Sequence, residues 1–376
     1  MNNTFEGIFK GLNVLLTGHT GFKGAWLSTW LIELGARVTG YSLAPPTTPN
    51  LFTVCDLENK ITHIHGDIRN YEHFHRVVNQ TNPDVIIHLA AQPLVLYSYD
   101  QPQETFEVNV QGSINVMEAA IQCPSVKAIV MVTTDKVYEN REQLEGYRES
   151  DRLGGHDPYS ASKAMVEIGI DSYRKSFANA NNRNIAIASA RAGNVIGGGD
   201  FSENRLVPDI IKALMKQSPV KVRNPQSVRP WMHVLEPLSG YLWLTKKLLE
   251  NSNDYSQAWN FAPIDNHPVT CRAIVEKSIE IWGAGSWIDT SSSAALHEMN
   301  LLRLNGEKTM NLLGWSPCYS WEQTLEATVD WYKTFYQSPE TDMFQFCAEQ
   351  INAYMTHSKH LNQEWSLVDK ISTVGS

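Results

Sequence analysis

The chain has 376 residues, 42% of them hydrophobic and 19% charged, a balance that belongs to a folded globular protein rather than a disordered one. Thirty-one Lys and Arg against 40 Asp and Glu leave a net charge of −9 with no long basic run, which argues against a nucleic-acid partner and leaves open only a local cationic pocket for phosphate. Five scattered cysteines without CxxC spacing point to a reducing, cytoplasmic setting and away from a metal site, and no segment has the apolar length of a signal peptide or membrane span.

In chain order, apolar runs at 13–17, 37–43, 61–65, 84–90, 128–133 and 185–190 predict strands. Amphipathic stretches at 24–34, 71–79, 104–122 and 158–177 predict the helices between them. Strands apolar on both faces that alternate with helices call for an α/β fold, a doubly wound parallel sheet of Rossmann type. Beyond 193 the pattern loosens. Helices are expected at 206–216, 235–249, 270–282 and 321–336, with strands at 220–223 and 259–262. The expected division is a dinucleotide-binding domain over 1–193, joined by part of 232–262, a smaller substrate-binding lobe over 194–356, and a polar, loose tail over 357–376.

Between the first strand and the first helix stands Thr17-Gly18-His19-Thr20-Gly21-Phe22-Lys23-Gly24. Gly18 permits a tight turn, Gly21 lets backbone approach a pyrophosphate, and Gly24 allows close helix–sheet packing. The N–H groups that open the helix then face that pyrophosphate, so the motif predicts dinucleotide binding. The second strand ends Gly40-Tyr41-Ser42-Leu43 with neither the Asp or Glu that would grip the ribose of NAD nor an Arg for the 2′-phosphate of NADP, so NAD over NADP is only a lean. Asp67, after the third strand, is a candidate for the adenine amino group and equally a cap for the following helix.

Asp157-Pro158 reads as a helix start, with Tyr159 and Lys163 four apart on one face. An ammonium beside the phenol would stabilise phenolate and make Tyr159 a base near neutral pH. Upstream, Thr133-Thr134-Asp135-Lys136 sits at the carboxyl end of an apolar strand, the edge of a parallel sheet where ligands bind.

The glycine motif, His88-Leu89-Ala90-Ala91, Thr134-Asp135, the Tyr159/Lys163 pair, Arg191-Ala192-Gly193-Asn194-Val195 and Leu312-Leu313-Gly314-Trp315-Ser316-Pro317 together resemble the extended short-chain dehydrogenases that act on nucleotide sugars. Thr134-Asp135-Lys136, the Phe22-Lys23-Gly24 variant of the glycine motif and Arg229-Pro230-Trp231-Met232-His233-Val234 are most similar to the sugar-nucleotide 4,6-dehydratases of that group that take CDP-glucose. The resemblance implies an NAD site formed by Gly18, Thr20, Gly21, Phe22, Gly24, Asp67, Ile68, Ala90, Tyr159 and Lys163. It implies Thr134, Asp135, Lys136, Tyr159 and Lys163 as the catalytic set, with Ser98, Asn194, Arg205 and Arg229 toward the substrate. Tyr159 would take the carbon 4 hydroxyl proton, and Asp135 would protonate the departing carbon 6 oxygen. Relatives carry Glu where this chain has Lys136, which serves as carbon 5 base only if its neutral form is reachable; otherwise it stabilises an enolate. A nucleotide-sugar 4-epimerase and a nonenzymatic dinucleotide sensor stay open as alternatives. The resemblance also implies a homodimer, or a higher homo-oligomer, through the helices at 104–122 and 158–177.

Overall fold

The computed structural model describes residues 4–143, 145–178, 185–263, 269–291 and 302–367. Seven parallel strands form the central sheet: β1 (Asn13–Thr17), β2 (Arg37–Ser42), β3 (Thr62–His65), β4 (Val85–His88), β5 (Ala128–Val132), β6 (Ala186–Ala192) and, after three short strands, β10 (Ala258–Phe261). The short strands are β7 (Val195–Ile196), β8 (Val220–Val222) and β9 (Met232–His233); β7 pairs with β9, and β8 with β11 (Trp287–Asp289). The order β3-β2-β1-β4-β5-β6-β10 reverses direction between β1 and β4. At such a reversal the strand ends diverge and leave a crevice at the carboxyl edge.

Alternation along each strand explains why both faces are apolar. On β1, Leu15 joins one core with Ile86, Ile129, Met131 and Ile187, covered by α3 (Tyr71–Thr81), α6 (Gly112–Gln122) and α7 (Pro158–Ser176). Val14 and Leu16 point the other way into a second core. Trp26 and Trp30 of α1 (Phe22–Glu33), Leu238 and Leu242 of α9 (Leu235–Glu250), and Ile351 and Tyr354 of α13 (Met343–His360) lie there. Short helices α2 (Leu51–Val54), α4 (Val95–Asp100), α5 (Pro102–Phe106) and α10 (Ser252–Tyr255) join these layers. Apart from the sheet lie α8 (Leu206–Met215), α11 (Cys271–Trp282) and α12 (Trp321–Gln337), with the β8–β11 pair. Because α9 and β10 return to the sheet and α13 covers α1, the chain beyond 193 is shared between the two regions.

Two expectations are corrected. The single helix over 104–122 is interrupted: α5 passes into a π-helical turn at Glu107–Gln111 before α6. The cause is Asn109, fully buried, whose amide donates to the Gln92 carbonyl at 3.1 Å and to Ser162 Oγ at 2.9 Å while its oxygen accepts from Gln92 N at 2.8 Å. A side chain drawn inward to hold a loop widens the helix around it. The tail is not loose through 367. After α13 a 3₁₀ turn at Glu364–Ser366 buries Trp365, which stacks on Phe5 at 5.3 Å and on Tyr354 at 5.6 Å. Its polar neighbours hide one large apolar anchor. The rest of the predicted tail, 368–376, lies outside the described residues.

Trp365→Ala should cost about 3–5 kcal/mol of stability in urea unfolding, the usual loss for a buried tryptophan truncated to a cavity. Turnover at temperatures below the transition should stay near wild type, since none of the site residues touches this ring cluster.

Candidate active site

The crevice edge is built around Gly18, which leaves β1 with φ +74° and donates its N–H to the Tyr41 carbonyl at 3.0 Å. A Cβ there would stand 2.7 Å from Ala90 N, and a Cβ on Gly24 would stand 2.2 Å from the Gly18 carbonyl oxygen. Helix α1 begins at Phe22, two residues earlier than its periodicity suggests, with Gly21 as N-cap and no capping side chain. Its first N–H groups are therefore left for a ligand. Thr20 fixes the loop to the tip of β2 through Ser42 Oγ at 2.8 Å and the Leu43 carbonyl at 3.0 Å. Ala90 N donates to Thr17 Oγ1 at 3.2 Å, and Ile68 packs on Gly112 while its carbonyl accepts from Asn115 at 2.8 Å. Two positions admitting only glycine beside an uncapped helix start suit the pyrophosphate of a dinucleotide.

Asp67 does not cap α3; Asn70 does, accepting from His73 N at 3.0 Å. Asp67 instead accepts from Arg69 N and Nε, both at 2.9 Å. Burial would raise its carboxyl, but the bonds from Arg69 outweigh burial and hold it below the usual carboxylate range.

At the end of β5 the chain enters a 3₁₀ turn over Asp135–Val137 capped by Thr134. Thr134 Oγ1 donates to Asp135 Oδ1 at 2.8 Å, and Lys136 Nζ lies 3.5 Å from the same oxygen. Asp135 is buried and Lys136 half-buried. Facing them, Asp157 caps α7 by accepting from Ser160 N at 2.9 Å, with Pro158 opening the helix as its sequence predicts. Burial pushes the Tyr159 phenol up to about 12, and the charge of Asp135 adds to it; a hydrogen bond with Thr134 and the charge of Arg205 pull it back. Lys163 is lowered to about 8 by burial, with Glu167 opposing. Lys163 Nζ donates to the Val132 carbonyl at 3.4 Å, and on Tyr159 both Thr134 and Arg205 favour phenolate.

The structure places the four substrate candidates unequally. Arg205 pairs with Asp200 at 2.8 Å within electrostatic reach of Tyr159. The Asn194 carbonyl accepts from Met232 N at 3.3 Å, where β7 meets β9. Arg229 donates to its neighbour's carbonyl, Val228, at 2.9 Å, and the adjacent Pro230 leans over Gly193 across from Asp135. Ser98 is buried and donates to Val95 O at 2.7 Å one turn back. Sequence reasoning passed over Lys23, although it stands inside the glycine motif. Burial lowers it to about 8, Arg205 and Lys163 push the same way, and Asp135 opposes, so it lies among all three. Glu167 was also passed over; it follows Lys163 at the spacing by which Lys163 follows Tyr159. Among the described residues no group of three or more His, Cys, Asp and Glu is arranged to hold a metal ion.

A sequence model of the family described as GDP-mannose 4,6 dehydratase matches residues 15–328. The chain is 42% identical over 355 residues to the CDP-glucose 4,6-dehydratase of Salmonella typhimurium, covering 93% of this chain and 98% of that one. Among solved structures, the UDP-glucose 4-epimerase of Thermotoga maritima with UDP-glucose superimposes at a TM-score of 0.75, with 21% identity over 86% of this chain and 100% of that one. A dTDP-glucose 4,6-dehydratase of Streptomyces venezuelae with NAD and TYD bound gives 0.72, with 22% identity over 87% and 99%. At those identities the two structures establish the fold.

Gly24→Ala forces a methyl group against the Gly18 carbonyl oxygen. It should weaken NAD binding, read by quenching of tryptophan fluorescence, by roughly a hundredfold or more, the equivalent of losing about 3 kcal/mol. Binding within threefold of wild type would remove the glycine cradle from the site.

Proposed function

The chain belongs to the GDP-mannose 4,6 dehydratase family, and on that premise we propose that it converts CDP-glucose to CDP-4-keto-6-deoxyglucose and water. The observation that carries this reading is the Asp135–Lys136 contact of 3.5 Å beside the Thr134–Tyr159 pair. Oxidation at carbon 4 needs only Tyr159 and its partner. Elimination across carbons 5 and 6 needs an acid and a base side by side, which an epimerase does not. The relative named for CDP-glucose, matched almost end to end, supports the choice of nucleotide.

Bound NAD supplies the oxidising power that takes hydride from carbon 4 and gives it back at carbon 6. Gly18, Gly21, Gly24 and the opening N–H groups of α1 would hold its pyrophosphate. Tyr159 oxygen accepts the carbon 4 hydroxyl proton, with Thr134 and Arg205 favouring the phenolate that does so. The resulting ketone acidifies the carbon 5 hydrogen. Proton transfer across the Asp135–Lys136 contact turns an ion pair into a carboxylic acid and a free amine without any proton entering from solvent. The amine removes the carbon 5 proton, and the acid protonates the departing carbon 6 oxygen. Both groups end this step charged; when hydride returns to carbon 6, carbon 5 takes a proton from the Lys136 ammonium, and the proton that Tyr159 accepted from the carbon 4 hydroxyl restores that ammonium, so no net proton is gained or lost.

Arg205, Arg229 and Asn194 are the residues we assign to the diphosphate and nucleoside, with the α8–α11 region closing over them. The outward face of α7 exposes Met165 and Ile168, 48% and 60% accessible and three residues apart, which supports a homodimer through α7 and the α5–α6 segment. Among the described residues no helix is long and apolar enough to cross a membrane. Five free thiols suit the cytoplasm, where we place the protein.

Substrate carrying deuterium at carbon 4 should deliver it to carbon 6 of the same molecule, and turnover in deuterium oxide should place solvent deuterium at carbon 5. Label returning only to carbon 4 would sink the dehydratase reading in favour of epimerisation. Asp135→Asn should accumulate reduced cofactor yet lose at least about a hundredfold in product formation, in the range of removing a general acid. Lys136→Met should also oxidise carbon 4 but no longer exchange the carbon 5 hydrogen; rapid exchange there would take Lys136 out of the base role.

A further inference from the structure

Glu167 is fully buried on α7, four residues beyond Lys163 on the same helix face. Its carboxylate accepts from Thr133 Oγ1 at 2.5 Å, Ser189 Oγ at 2.7 Å and Arg191 Nη2 at 2.7 Å. Thr133 leads into the Thr134–Lys136 turn, while Ser189 and Arg191 belong to β6. One carboxylate therefore ties together the helix that carries the base, the turn that carries the acid, and the neighbouring strand. Arg191 extends the network, donating to the Tyr138 hydroxyl at 2.7 Å, which donates to Asn260 Oδ1 at 2.7 Å on β10.

A buried ion pair is a poor stabiliser, because desolvation offsets its attraction. Such a pair under an active site calls for another explanation, and Lys163 provides one. The ionisable groups around Lys163 and Glu167 are Tyr159 and Arg174 on α7, Asp135 and Tyr138 in the turn, Lys23 on α1, His88 on β4 and Arg191 on β6. Besides Glu167 itself, Asp135 alone among these brings negative charge. Asp135 accepts from Thr134 and sits against Lys136, and Glu167, although paired with Arg191 at 2.7 Å, is the acid that stands one helical turn from Lys163. Burial would raise the Glu167 carboxyl; Arg191, Thr133 and Ser189 overcome that and keep it ionised, and Glu167 in turn opposes the loss of the Lys163 proton.

We propose that Glu167 is the positioning residue of the Tyr159/Lys163 pair: its charge keeps Lys163 an ammonium in a dry cleft while its hydrogen bonds hold α7 against the Thr133–Lys136 turn. The proposal rests on Tyr159 and Lys163 working in this cleft, but it is read on Lys163 itself. Glu167→Gln leaves Arg191 without its partner, so the neutral pair Glu167→Gln/Arg191→Met is made alongside it. In protein carrying ¹³C at the lysine ε-carbons, with the Lys163 signal assigned by its loss in Lys163→Met, the Lys163 midpoint should fall by about one pH unit in both variants. The alkaline limb of kcat should move in the same direction, with the KM for the sugar nucleotide within about twofold of wild type, since Glu167 would not touch substrate. An unmoved midpoint in a folded neutral-pair variant overturns the proposal, whatever its melting temperature. Failure of the wild type to turn over CDP-glucose would strike the functional reading instead and leave the titration result standing.

Discussion

Where β1 ends, the chain turns at Gly18 so close to Ala90 that one methyl group would collide with backbone. That approach is possible because β1 and β4 are neighbours whose connections run to opposite faces of the sheet, and it brings the start of α1 to the edge of the crevice. The uncapped N–H groups of α1, the Thr20 anchor on β2 and the Thr17–His88 contact at 2.7 Å all follow from this one turn. The turn after β5 and the start of α7 reach the same crevice from its other side, so cofactor cradle and acid–base turn share one edge.

The chemistry on that edge is set by exclusion of water. Burial alone would make Tyr159 a worse base and Lys163 a weaker cation, and each is countered by particular neighbours: Thr134 and Arg205 for the phenol, Glu167 for the ammonium. A dry cleft strengthens every one of these pairings, and it also makes each harder to replace. The Asp135–Lys136 contact of 3.5 Å sets opposite charges side by side on the same edge.

The sheet was legible because strands buried on both faces leave apolar runs that nothing else in the chain resembles, and the helix start at Asp157-Pro158 because capping is a local matter. The π-helical turn was not legible, since Asn109 looks like any polar residue in a helix until its distant partners Gln92 and Ser162 are known. Helix α13 escaped notice for a related reason. Met343, Cys347, Ile351, Tyr354 and Met355 make a buried stripe, but half-buried Phe344 and Phe346 beside it and the polar residues that follow blur its period. Tyr159, Lys163, Thr134 and Asp135 were found by motif. Lys23 and Glu167 were not, because their significance lies in which charges surround them, and those come from five different elements.

The stacking of Phe5 on Trp365 has a consequence for how the molecule is made. Helix α1 carries Trp30 on the side that Tyr354 of α13 and Trp365 cover, and that cover is synthesised more than 300 residues after it. The sheet likewise waits for β10 to close its far edge. A nascent chain therefore carries an unfinished apolar surface through most of its translation, the circumstance in which aggregation competes with folding and chaperones bind. The cofactor cradle precedes in the chain the elements that complete its support.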